Sequence, residues 1–230
     1  MAELGGAGEI VRRALGYPYA TPSHSFIQLG DRTLTPPPRG PDLRDREPLL
    51  AYGANASPVA LARKLAALPD EPLPLLRAEL RDHDVVYSAH VSPYGAVPAT
   101  LQHSPGTTVS VFVAYPTAEQ RRLLSASESN YELARLSGLS LRLAGDVPLG
   151  PDSEAEVDAA DAYVSRHGSL TLDGNPVAIA AVAAEGRGLA SLHQPALLER
   201  VRAVLAPELS LEAFVHRCVE AGGVAPLPAL

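Results

Sequence analysis

Two short stretches hold the side chains best suited to chemistry. The first is Ser127-Glu128-Ser129-Asn130-Tyr131, where Glu128 follows a helical segment and the chain can swing back over the body of the fold. A carboxylate partly withdrawn from water in such a crevice gains proton affinity, and it can then take up and return a proton near neutral pH. The second is Tyr52-Gly53-Ala54-Asn55, which separates an apolar run from a helix beginning at Pro58. Gly53 lets the backbone turn sharply and approach a ligand closely. The amides of Gly53, Ala54 and Asn55 then point outward near the helix N-terminus, an arrangement that favours a small anion without Lys or Arg. Plainer readings stand beside these. Glu128 also reads as a solvated residue after a helix, Tyr52 as a half-buried core side chain and Tyr131 as a packing residue. Asn55 reads equally as a turn former bonded to its own backbone.

Other chemistries find little support. Cys218 and His216 lie two apart on a helical segment, so their side chains face different ways and make no nucleophilic pair. No Gly-x-Ser-x-Gly elbow occurs. The seven histidines show no metal-ligand spacing, and His83 between Asp82 and Asp84 reads as a polar strand start. Gly5-Gly6-Ala7-Gly8 lacks both a preceding strand and a Gly-Lys-Ser/Thr, so it is no phosphate loop. The cluster Ser165-Arg166-His167-Gly168-Ser169 fits either a loop rim or part of a site.

These residues need elements to position them. Residues 9–15 read as a short helix ended by Gly16, followed by an irregular stretch closing in Thr35-Pro36-Pro37-Pro38-Arg39-Gly40-Pro41. That proline cluster is an extended connector, since proline fits neither a helix interior nor a central strand. Residues 48–52 read as a buried strand. A helix over 58–68 follows, with Ser57 as N-cap, Pro58 at the first position and an apolar stripe from Val59 to Leu68. Strands are expected at 78–90 and 108–114, then a helix opened by the capping box Thr117-Ala118-Glu119-Gln120. Farther on, 169–172 and 177–182 suggest a hairpin around Asp173-Gly174-Asn175. Helices are expected at 195–205 and 211–220, the latter with Ser210 as N-cap and Gly222 as C-cap.

The order of these pieces resembles the γ-glutamylcyclotransferase-like superfamily (the AIG2-like and butirosin-type fold). Leu49-Leu50-Ala51-Tyr52-Gly53-Ala54-Asn55 resembles its Tyr-Gly-Ser-Asn signature, and Gly95-Ala96-Val97-Pro98-Ala99-Thr100 resembles a small-residue strand ending in Ala-Thr. Residues 108–114 and 119–124 resemble the strand and helix after it, and Ser127-Glu128-Ser129-Asn130-Tyr131 the segment with the catalytic glutamate. Glu128 stands 76 positions after Tyr52, comparable to the family's separation. The likeness covers about ninety residues. Two positions depart from the pattern: Ala54 stands where Ser is common and Ser129 where Gly is common. The resemblance implies an enzyme cyclising a γ-glutamyl amide or amine to 5-oxoproline with release of the amine. Glu128 would be the general acid/base and Tyr52, Gly53, Ala54, Asn55 and Tyr131 the substrate contacts, with no metal or cofactor. The alternatives are a ligand-binding or interaction module of the same fold without turnover, and a hydrolase of some small amide.

Composition bounds the remaining classes. The 230 residues are 46 % hydrophobic, enough for a sizeable core, and 22 prolines with 18 glycines exclude an all-helical bundle. A net charge of −7 without any basic cluster argues against a nucleic-acid partner. The lone Cys218 fits a reducing compartment. The acidic start lacks a signal-peptide core, and the longest apolar run is too short for a membrane span. The expectation is a cytoplasmic α+β protein acting on a small molecule, with a homodimer left open. Its 1–230 form one domain, with a mixed-sheet, barrel-like core at 48–137. An N-terminal extension at 1–47 carries the Pro-rich connector, and 138–230 supply a hairpin and helices.

Overall fold

The computed structural model describes residues 6–148 and 155–230. α1 (Ala7–Leu15) ends at Gly16, as expected. The stretch read as irregular holds a hairpin instead: β1 (Phe26–Leu29) pairs antiparallel with β2 (Arg32–Leu34) around Gly30-Asp31. Gly30 has a φ of 58°, the positive value a tight hairpin turn asks of its first central residue. β3 (Leu49–Ala51) is three buried apolar residues, followed by a 3-10 turn over Gly53–Ala56 and then α2 (Pro58–Lys64). α2 is shorter than its apolar stripe: Leu65 already leaves the helical region, four residues ahead of Pro69. Ser57 holds the N-cap position with Pro58 in the first turn, but its side chain makes no cap bond.

β4 (Leu73–Tyr87) and β5 (Ala99–Ala114) form one long antiparallel pair, from Leu75↔Ala114 to Tyr87↔Ala99, with one shift of register between Arg81 and His83. From sequence alone the first of these is expected to begin at 78 and the second to divide, with Ala99-Thr100 as a strand end and 108 as a new start. Ala99 in fact opens β5. Ser104-Pro105-Gly106-Thr107 resembles a turn but is a bulge, lying between the pairs His83↔His103 and Arg81↔Thr108. A bulge tolerates proline because its residues leave the ladder. Opposite it, Asp82 at a φ of 56° accepts the Gly106 N–H at 2.8 Å.

α3 (Ala118–Ala126) opens with the expected capping box: Gln120 N–H donates to Thr117 Oγ1 at 3.2 Å, and Thr117 N–H to Gln120 Oε1 at 2.9 Å. Thr117→Ala is expected to cost about 1 kcal/mol, read as a lower urea midpoint with unchanged slope. β6 (Tyr131–Leu143) and β7 (Glu156–Ser165) then pair antiparallel. β6 also joins β4, and β7 lies parallel to β3 through Leu49↔Asp161. With β3 antiparallel to β5, the order β5-β3-β7-β6-β4 returns to β5 and closes a five-stranded mixed barrel within an α+β fold.

The barrel therefore reaches beyond the core placed at 48–137: its last stave ends at Ser165. β6 escaped notice because its first half is largely exposed and shows no inward alternation until Leu139, Leu141 and Leu143. β7 relies on small buried residues, Ala160 and Ala162, which carry little strand signal.

The last third wraps the barrel. β8 (Thr171–Leu172) and β9 (Asn175–Pro176) form the expected ribbon, with Asp173 and Gly174 both at positive φ. Only β10 (Ala178–Ile179) is strand within 177–182, pairing with β4 and with β12 (Ser191–Leu192), while β11 (Ala184–Glu185) extends β5. α4 (Gln194–Leu205) and α5 (Leu211–Glu220) follow, Ser210 Oγ accepting the Ala213 N–H as N-cap. α1 packs on α5 and α4, which carries the N-terminal segment to one end of the barrel. A smaller apolar cluster, including Leu61, Phe112 and Leu124, sits under α2 and α3, where Phe26 meets Phe112 edge-on at 5.5 Å. Among the described residues no helix is long and apolar enough to cross a membrane.

Candidate active site

One end of the barrel opens on a cavity of about 550 Å³ walled by the Gly53–Ala56 turn, α2, the end of α3 and the start of β6. The segment after α1 closes another side, contributing Tyr17 and Tyr19. Six of the chain's eight tyrosines line this space: Tyr17, Tyr19, Tyr52, Tyr94, Tyr131 and Tyr163.

Glu128 projects into the cavity from a turn whose backbone is fully used. Its N–H donates to Ser125 C=O at 3.1 Å, and its own carbonyl accepts the Tyr131 N–H at 2.9 Å. Ser129 is not among the residues at positive φ, so serine stands in this turn without backbone strain. The Glu128 side chain, 12 % exposed, meets two donors: Lys64 Nζ lies 2.5 Å and Asn55 Nδ2 3.0 Å from its Oε1. Lys64 also donates to Asn55 Oδ1 at 2.8 Å, which fixes the orientation of the Asn55 amide and closes a three-residue ring. Carboxylate and loop, 73 positions apart, therefore touch through Asn55. The carboxylate oxygen that faces the crevice thus meets an ammonium and an amide.

The glycine loop differs from its reading. Ala54 and Asn55 line the cavity, whereas Gly53 is buried behind Tyr17. Gly53 has a φ of 77°, and a Cβ there would collide with the Tyr17 hydroxyl and come 2.9 Å from Ala99 Cβ. The Tyr17 hydroxyl accepts the Ala99 N–H at 2.7 Å and lies against Gly53. A protein oxygen thus occupies the place where main-chain donors were expected to receive a ligand anion. Burial, then Tyr94, pushes the Tyr17 phenol well above the usual tyrosine range, so it stays protonated. Tyr52 donates to Tyr163 C=O at 2.5 Å and Tyr131 to Ala99 C=O at 2.8 Å; burial raises the pKa of both. Tyr52 and Tyr131 thereby brace the wall of the cavity they line.

Positive charge comes from side chains instead. Arg13 lies over the Tyr94 ring at 5.0 Å and Arg63 over the Tyr19 ring at 5.4 Å. Among the described residues neither pairs with a carboxylate, while Lys64 pairs with Glu128. The lining holds three cations against one carboxylate in a chain of net charge −7, a local excess suited to an anionic ligand. The Tyr19 hydroxyl is buried with no partner among the described residues, an orphan that a ligand could satisfy.

Lys64, Arg13, Arg63, Tyr17 and His90 belong to this site and were missed from sequence. One signal was available: Lys64 is the only lysine in the chain, beside eighteen arginines. Among the described residues no three His, Cys, Asp or Glu side chains converge as metal ligands. No family model, curated protein or solved structure matches this chain.

Proposed function

We propose that the chain is a γ-glutamylcyclotransferase-like enzyme that cyclises a γ-glutamyl amide or amine to 5-oxoproline and releases the amine. The observation that carries this reading is the Glu128–Asn55–Lys64 ring, a carboxylate and an ammonium held side by side at a cationic cavity. The α-amino acid end of a γ-glutamyl group carries the complementary pair, an ammonium for Glu128 and a carboxylate for Lys64. Exchange of partners on binding would bring the α-ammonium to the acid/base residue. Glu128 takes one proton from that ammonium, and the free amine attacks the γ-carbonyl carbon. As the tetrahedral intermediate collapses and the old C–N bond breaks, Glu128 gives its proton to the departing nitrogen, takes the second proton that the new ring nitrogen sheds, and passes it to the released amine, which leaves as its ammonium. Nucleophile and electrophile share one molecule, so holding the substrate folded supplies much of the acceleration.

The test is incubation with a panel of γ-glutamyl amides and amines, followed by identification of the product. 5-Oxoproline and free amine in equal amounts are expected. Glutamate in place of 5-oxoproline would mean that water is the nucleophile and the protein a hydrolase. No product from any member overturns the enzyme reading. A second reading, a binding module without turnover, draws on the Tyr17 hydroxyl already seated against Gly53 of the loop. It expects panel members to bind and survive unchanged.

A further inference from the structure

We propose that His90 presents an Nε2–H to the cavity as the fixed hydrogen-bond donor for a substrate oxygen, its tautomer set by a relay from the His167 main chain through Ser165 and Ser88. The identity of that oxygen, the γ-carbonyl, rests on the function proposed above; the tautomer does not.

The relay can be followed one hydrogen at a time. The His167 main-chain N–H donates to Ser165 Oγ at 3.0 Å, and this is the one donor fixed by constitution. Ser165 Oγ lies 2.6 Å from Ser88 Oγ, which lies 2.7 Å from His90 Nδ1. The Ser165 hydrogen has one acceptor among the described residues, Ser88 Oγ, and the Ser88 hydrogen then has one, His90 Nδ1. Run the other way, Nδ1–H would donate to Ser88 and Ser88 to Ser165, leaving the Ser165 hydrogen with no protein acceptor among the described residues. Ser88 is wholly buried and Ser165 half-buried, so only the first order keeps every hydrogen of the relay bonded within the protein. Nδ1 therefore accepts, and the hydrogen of the imidazole sits on Nε2. His90 lines the cavity, and its Nε2 has no protein partner among the described residues.

Charge and placement agree with this. Burial, then the His167 ring 5.0 Å away, pushes the pKa of His90 down to about 4, so the ring is neutral at neutral pH. A neutral imidazole N–H stabilises charge gathering on a carbonyl oxygen without competing for the proton that Glu128 moves. The Tyr131 ring stands edge-on to His90 at 5.7 Å. His167 Nε2 meets Asn130 Oδ1 at 3.1 Å, tying the relay to the segment that carries Glu128. The polar cluster at 165–169 thus lies behind the cavity wall as its orienting layer.

The test begins without substrate. In protein labelled with nitrogen-15 at histidine, His90, assigned by its loss in His90→Gln, is expected to show a protonated Nε2 and a bare Nδ1. Ser88→Ala should shift the Nδ1 signal and mix the tautomers. A protonated Nδ1 in the native protein at neutral pH overturns the proposal. This arm gives its answer whether or not 5-oxoproline is ever formed, so its failure is distinct from failure of the function. With an active substrate, His90→Leu is expected to lower kcat about 100- to 1,000-fold, and His90→Gln, which keeps an N–H near the same place, to recover about tenfold or more. Equal turnover by native protein and His90→Leu overturns the donor role.

Discussion

Replacing Glu128 with Gln is expected to lower 5-oxoproline formation about 100- to 10,000-fold while the protein stays folded. The amide is nearly the size of the carboxylate, and its oxygen can still accept from Asn55 and Lys64, which hold Oε1 in the native protein. What it cannot do is take a proton from an α-ammonium and return it to a leaving amine. Lys64 loses its counter-charge in a setting where both side chains are under one-fifth exposed, so a stability cost of about 1–3 kcal/mol is expected as well. Turnover is therefore to be compared at temperatures where urea titration shows both proteins fully native. Unchanged turnover under those conditions would remove Glu128 from the chemistry.

The proximity behind that prediction was legible in the sequence, although most of what surrounds it was not. Glycine between a short apolar run and a proline-led helix, then a carboxylate just past a capping box, located both halves of the Asn55–Glu128 contact. These signals are local, each set by a few adjacent residues. The capping box and the Asp173-Gly174 ribbon were legible for the same reason. Lys64 was hidden inside a helix read for its apolar stripe, which attends to the face turned inward and passes over the polar one. Tyr17 and Tyr19 were beyond reach because α1 reaches the barrel through contacts with α4 and α5, nearly two hundred residues away, and no periodicity encodes such docking. β5 was cut in two because Pro105-Gly106 has the composition of a turn whether it ends a strand or bulges from one. Even the relay behind His90 was half visible: the cluster at 165–169 stood out as polar, but its neighbours at 88 and 90 are brought to it only by barrel closure.

The loop itself offers the second large effect. Gly53→Ala is expected to destabilise the protein by about 3 kcal/mol, of which about 1–2 comes from placing a Cβ on a left-handed backbone. The remainder comes from the clash with the Tyr17 hydroxyl and with Ala99 Cβ at 2.9 Å. The new methyl group must displace Tyr17, and with it the bond from the Ala99 N–H, leaving a buried amide unpaired. Tyr17→Phe alone loses the same bond and should cost about 1–3 kcal/mol. Because each substitution forfeits one shared interaction, the double variant should be more stable than the sum of the two by about 1–2 kcal/mol. Urea titration of the four proteins measures that coupling. Additivity to within about 0.5 kcal/mol would mean that the Tyr17 hydroxyl does not press on Gly53 in solution. A clear coupling would locate the tyrosine at the loop, and raise the question of whether a ligand's oxygen must displace it to bind there. Tyr17→Phe answers that in the same set: tighter binding of γ-glutamyl compounds is expected if the hydroxyl occupies the ligand's place beside Gly53 and the Ala99 N–H, and weaker binding if it shapes the pocket instead.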